Sequence, residues 1–100
     1  MFGLPLTGAV EFRAVLQKGN RVQVPRLVRW EFKLETSQVL MVTVDCVDRY
    51  IQKECFFGRM NEDGRITVPK LALDLLQRRL DTQSLVGWAL RVRLEPSGQQ

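Results

Sequence analysis

Five basic residues stand where a chain can present charge to a polyanion: Arg21, Arg26 and Arg29 in the first half, Arg65 and Lys70 in the second. Guanidinium and ammonium groups neutralise phosphates and displace their counterions, so they bind nucleic acid with an affinity that falls as salt rises. Spacing singles these five out. Arg21-Val22-Gln23-Val24-Pro25 returns forty-four residues later as Arg65-Ile66-Thr67-Val68-Pro69, and Arg26 and Lys70 follow the two prolines. Arg29 is matched by Leu73, so the set is not fully paired. Trp30 lies off the main helical stripe beside Arg29, and an exposed indole there is a possible contact for a nucleic acid or a protein. The plainer reading of the same cations is solvated charge that keeps a small protein soluble.

Other chemistries lack their residues. The chain has no histidine, and two lone cysteines, Cys46 and Cys55, do not complete a zinc site from common ligands. No close pair of carboxylates recurs in both halves, and no Gly-rich phosphate loop of the Walker or Rossmann type is present. The expectation is a binding protein, not an enzyme, with no metal and no cofactor. Cys46 and Cys55 each lie beside or within an expected strand, which makes buried thiols the simple reading. A disulfide is the alternative, and closing so short a loop would add at most about 2.5 kcal/mol on the chain-entropy model.

Of 100 residues, fifteen are basic and eleven acidic, for a net charge of +4 shared equally between the halves. The acids are unevenly placed. From Lys18 to Lys33 five cations meet only Glu31, and from Arg65 to Arg79 four meet only Asp74. With 45% hydrophobic and 26% charged residues, and no apolar run near about 18 residues, the composition is that of a globular domain without a membrane span. Met1 to Gly8 has no basic n-region of a secretory signal, which points to a cytoplasmic location.

The elements that position these residues also repeat. Phe12-x-Ala14-x-Leu16 is echoed by Phe56-x-Gly58-x-Met60, and Lys18-Gly19-Asn20 by Glu62-Asp63-Gly64. The alternation reads as strands, and Gly19-Asn20 and Asp63-Gly64 as hairpin turns that accept positive φ. Pro25 and Pro69 end the second strands and suit the first turn of a helix. In the first helix Leu27, Glu31 and Leu34 share one line, with Val28 and Phe32 beside it; in the second, Leu71 pairs with Leu75 and Ala72 with Leu76. Leu34-Glu35-Thr36 matches Leu80-Asp81-Thr82, implying a two-residue insertion in the second helix. Third strands follow at Leu40 to Val44 and Trp88 to Leu94, with Trp88 on the core face, while Glu95 to Gln100 holds no strand. Tyr50-Ile51-Gln52 is the one place for an extra strand. Residues 1–100 thus read as one domain of two repeats, about 11–44 and 54–94, with six strands and two short helices. Arrays need at least about 3 repeats to bury a continuous core, so two copies close face to face with pseudo-twofold symmetry.

A turn glycine, Arg-x-x-Val-Pro at a strand-to-helix switch, a short helix and a hydrophobic strand resemble the repeating unit of the cradle-loop barrel superfamily. That superfamily includes the AbrB/SpoVT swapped-hairpin DNA-binding domains, the RIFT barrels and the double-psi barrels. Swapped-hairpin proteins usually carry four strands per unit, whereas this chain shows three in its second. The resemblance therefore implies a mainly β, six-stranded, pseudo-twofold RIFT-like barrel, with a swapped-hairpin AbrB-like barrel as the alternative. The family's Gly-Asp pair before the third strand is replaced by Thr36-Ser37-Gln38 and Thr82-Gln83-Ser84. In AbrB-like domains arginines after the hairpin turn and on the following helix contact DNA, which on this chain implies Arg21, Arg65 and Arg29. The implied function is DNA binding by paired basic loops, in a regulator or chromatin-associated protein. Four phosphate contacts would give a log–log salt slope of about -3.6. A stand-alone RIFT barrel serving as a protein adaptor or small-ligand module is the alternative. The expected state is a monomer, since two joined halves imitate a dimer, and strand edges or Trp30 are the routes to further association.

Overall fold

Inward and outward side chains alternate along the strands, and the hairpin glycines and helix-starting prolines cut the chain into short elements. The computed structural model describes residues 8–47 and 53–97. In chain order these are β1 (Val10–Val15), β2 (Arg21–Gln23), α1 (Arg26–Glu31), β3 (Leu40–Cys46), β4 (Glu54–Gly58), β5 (Arg65–Thr67), α2 (Lys70–Leu80) and β6 (Ala89–Pro96). The fold is mainly β with two helices, and all strand pairs are antiparallel. The possible extra strand at Tyr50-Ile51-Gln52 lies outside the described residues.

The strands form a four-stranded sheet, β1-β6-β3-β4, and a two-stranded ribbon, β2-β5. Exchanging β1 with β4, β2 with β5 and β3 with β6 returns the same set of pairings. Register is kept as well: Phe12 opposite Val92 becomes Phe56 opposite Val42, and Val42 opposite Leu94 becomes Val92 opposite Val44. Val22 opposite Ile66 and Thr43 opposite Arg93 map onto themselves, so a local twofold passes through both pairs. Between ribbon and sheet lies the core, with Val22, Val24, Ile66 and Val68 on one side and Leu40, Val42, Val44, Leu90, Val92 and Leu94 on the other, all at most 1% exposed.

The ladders do not close into the expected six-stranded barrel. Each hairpin keeps one isolated bridge between its arms, Gln17 to Arg21 and Met60 to Ile66. The cause is the pairing of β2 with β5 across the halves, in strands that Pro25 and Pro69 limit to three residues each. Arms so short cannot keep two ladders.

Several sequence expectations shift by a few residues. β6 extends to Pro96, which stands opposite Leu40 at the last position of its ladder, where a missing N–H interrupts no further pairing. Trp88 precedes β6; its N–H donates to Leu85 O at 2.9 Å and its carbonyl accepts from Leu16 N–H at 3.0 Å, leaving the ring half-buried against the core. The two halves correspond differently at the helices. Lys33 (φ 51) and Asp81 (φ 54) both adopt the left-handed conformation that ends a helix. The next N–H of each, Leu34 to Arg29 O and Thr82 to Gln77 O, reaches back five residues. The insertion by the helix ends is therefore four residues, about one turn, which lengthens α2 without rotating its buried face.

Of the two expected lines that face keeps Ala72–Leu76 and not Leu71–Leu75. Ala72, Leu73 and Leu76 are buried while Leu71 is 71% exposed; in α1 no residue is buried and Leu27 is 73% exposed. Cys46 is buried and Cys55 exposed, and both thiols are free. Cys55 stands opposite Thr43, so Cys46 sits three positions further along β3, about 10 Å away at strand rise and beyond disulfide reach. Instead Cys55 Sγ lies 3.2 Å from Thr43 Oγ1.

Burial separates two leucines that look alike in sequence. Leu76→Ala should lower unfolding free energy by about 2–5 kcal/mol in denaturant titration, whereas Leu71→Ala should change it by less than about 0.5 kcal/mol.

Candidate nucleic-acid interface

Val22 and Ile66 point inward from the ribbon with no exposed surface, so strand alternation places Arg21, Gln23, Arg65 and Thr67 on its other face. Arg21 is opposite Thr67 and Arg65 opposite Gln23, which makes the two arginines diagonal neighbours across the local twofold. Each hairpin turn is fastened to the start of the other half's helix. Val68 N–H donates to Asn20 O at 2.8 Å, and Val24 N–H to Gly64 O at 2.9 Å. Lys70 thus lies beside the first turn and Arg26 beside the second, both exposed, at opposite ends of the ribbon.

The two ends differ in how their arginines are held. Arg65 Nε donates to Gln17 Oε1 at 2.8 Å, and its Nη1 lies 3.6 Å from Asp63 Oδ2. Asn61 occupies the position in the second half that Gln17 has in the first, and it is one methylene shorter. Its Oδ1 accepts from the N–H groups of Asp63 (2.9 Å) and Arg65 (3.0 Å), closing its own turn. The Arg21 guanidinium lies over Gly19 of its own turn and has no hydrogen bond or ion pair among the described residues. Gln23 adds a further tie at the second turn, donating to Asp63 O at 2.9 Å and Gly64 O at 3.2 Å.

Arg29 packs on the second turn. A Cβ added to Gly64 would fall 2.5–2.7 Å from three of its guanidinium atoms, and its buried Nε has no partner. Leu73, its counterpart, is 3% exposed in the core. Trp30 is 63% exposed and stands one turn after the exposed Leu27. Of the six residues marked by sequence, Arg21, Arg29 and Arg65 gather at the ribbon and its turns, Arg26 and Lys70 flank it, and Trp30 lies on the outer surface of α1. Gln17, Gln23 and Asn61 were not legible as site residues, although the Gln17–Asn61 mismatch within the repeat marks where the halves differ.

An open groove of about 690 Å³ runs along α2, lined by Lys70, Asp74, Gln77, Arg78, Asp81, Thr82 and Gln83. Its charges are mixed, so it has no preference for an anion. Among the described residues no group of three His, Cys, Asp or Glu side chains could hold a metal ion, and no helix is long and apolar enough to cross a membrane.

No protein-family model matches the chain, and no curated protein matches it. Among solved structures it is similar to the solution structure of PHS018 from Pyrococcus horikoshii, at 16% identity and a TM-score of 0.71, over 93% of this chain and 94% of that one. This is a likeness of fold, and it extends over nearly the full length of both.

Gly64 has φ +81 and Gly87 has φ +91, but only Gly64 has a neighbour that an added methyl would strike. Gly87→Ala should cost about 1–2 kcal/mol for the backbone conformation alone. Gly64→Ala should cost more, the excess measuring displacement of Arg29, and equal losses in chemical denaturation would show that Arg29 yields freely.

Proposed function

We propose that the chain binds double-stranded DNA through the outward face of the β2–β5 ribbon and its two turns, as a small regulator or chromatin-associated protein. One observation carries the reading: Arg21 and Arg65 lie diagonally on the outward, half-buried face of the ribbon, with exposed Arg26 and Lys70 at its ends. Cations gathered on one face and at the turns beside it suit the regularly spaced phosphates of a duplex. Phosphate contact supplies most of such binding and needs no catalytic group, so the protein acts by binding, without a cofactor.

The pairing that survives exchange of the halves, with the single bridges in each hairpin, supports reading ribbon and sheet as an opened cradle-loop barrel of the RIFT type. The repeats are 11–44 and 54–94, and the chain acts as a monomer. A cytoplasmic location goes with this function. A second reading, a protein adaptor, is favoured by the neighbouring exposed side chains of Leu27 and Trp30 on α1.

Fluorescence anisotropy with a labelled duplex of about 20 base pairs tests the first reading. The association constant should fall by roughly one to two orders of magnitude between about 50 and 200 mM salt. No detectable binding at the lower salt would remove DNA as the partner and leave the adaptor.

A further inference from the structure

Resting on that reading, we infer that the duplex-binding surface is polarised: the first-turn end, with Lys18, Arg21 and Lys70, contacts the phosphates, and the second-turn end serves to hold the hairpin. Backbone symmetry makes the two ends equivalent, so the difference comes from the side chains. At the first end the turn is Lys18-Gly19-Asn20, with no acid in it. Lys18 is exposed, the half-buried Arg21 has no side-chain hydrogen bond or ion pair among the described residues, and the bond from Val68 N–H to Asn20 O brings exposed Lys70 alongside. Asp74, one turn beyond Lys70, lines the same groove and is the nearest acid along α2.

The second end has Glu62 where the first has Lys18, followed by Asp63. A phosphate approaching Arg26 or Arg65 there meets two carboxylates, and Asp63 already lies 3.6 Å from Arg65. Arg65 is also spent on Gln17, and Arg29 is held against Gly64 with its Nε enclosed. Releasing either arginine to a phosphate would break a contact that keeps the second hairpin in place. Among the cations of the ribbon, its turns and the helix starts, those without an acidic turn beside them are therefore on one side of the twofold. A duplex bound there is contacted by three cations and in one orientation, although the backbone offers two.

The test compares counterpart positions whose surface exposure makes folding secure. In duplex titrations across salt, the wild-type log–log slope should be about -2.7, for three phosphates. Lys18→Ala and Lys70→Ala should each reduce its magnitude by about 0.9, and Arg26→Ala, the counterpart of Lys70→Ala, should leave it unchanged. Glu62→Lys, which gives the second turn the charge of the first, should steepen the slope by about 0.9. Equal losses for Arg26→Ala and Lys70→Ala, or no gain from Glu62→Lys, would overturn the polarity while leaving DNA binding intact. Failure of the wild-type protein to bind any duplex would instead overturn the reading on which it rests. Arg65→Ala, checked by thermal melting, should lower stability and keep the slope; a changed slope in a folded variant also counts against the proposal.

Discussion

Val22 and Ile66 face each other at the centre of the β2–β5 ribbon, each with no exposed surface, and the placement of the other elements follows from that contact. With both side chains buried, β2 and β5 pair across the halves and keep one bridge each to their own hairpin partners. Pairing across the halves in turn brings each hairpin turn against the start of the opposite helix, through Val24 to Gly64 and Val68 to Asn20. The outward face of the same ribbon is then forced to display Arg21 and Arg65. One apolar pair thereby sets both the core and the charged surface, because side chains in a strand alternate between the two.

Within this symmetric backbone the two halves have diverged in their polar side chains. Gln17 reaches across to Arg65, while Asn61, one methylene shorter, closes on its own turn. Arg29 lies over Gly64 where Leu73 enters the core. Divergence of this kind leaves register untouched, since none of these residues takes part in the central pairs of either sheet. It changes which cations are tied by neighbouring side chains and where acids stand beside them. The α2 side of the molecule follows the same logic, with an extra helical turn and an ion pair from Arg79 to Glu54 that joins α2 to β4.

Much of the fold was legible from short-range pattern. Strand alternation, turn dipeptides and Pro25 and Pro69 placed six strands and two helices in the right order, and the repeat located the equivalent cations. Errors fell where two residue types satisfy one pattern. Leu71 and Leu27 fit a helical stripe but face solvent, since adjacent lines on one helix satisfy the same period and only packing chooses between them. Matching Leu34 with Leu80 followed residue identity, whereas Lys33 and Asp81 correspond by conformation. Cys55 was expected inside because it lies in a strand, and it faces outward because Phe56 and Glu54 take the inner side of β4 opposite Val42 and Val44.

Sequence alone determined the periodic and punctuating features of this protein: where strands alternate, where a turn needs glycine, where proline ends a strand, and which positions carry positive charge in both halves. These are local properties, decided by neighbours within a few residues. Tertiary structure decided which strands pair, and therefore that the ladders form a sheet and a ribbon rather than a closed barrel. It also decided which arginine is tied and which is free. That choice depends on whether a side-chain amide at position 17 can reach a guanidinium forty-eight residues away, a matter of one methylene and a shared ribbon that no local pattern contains.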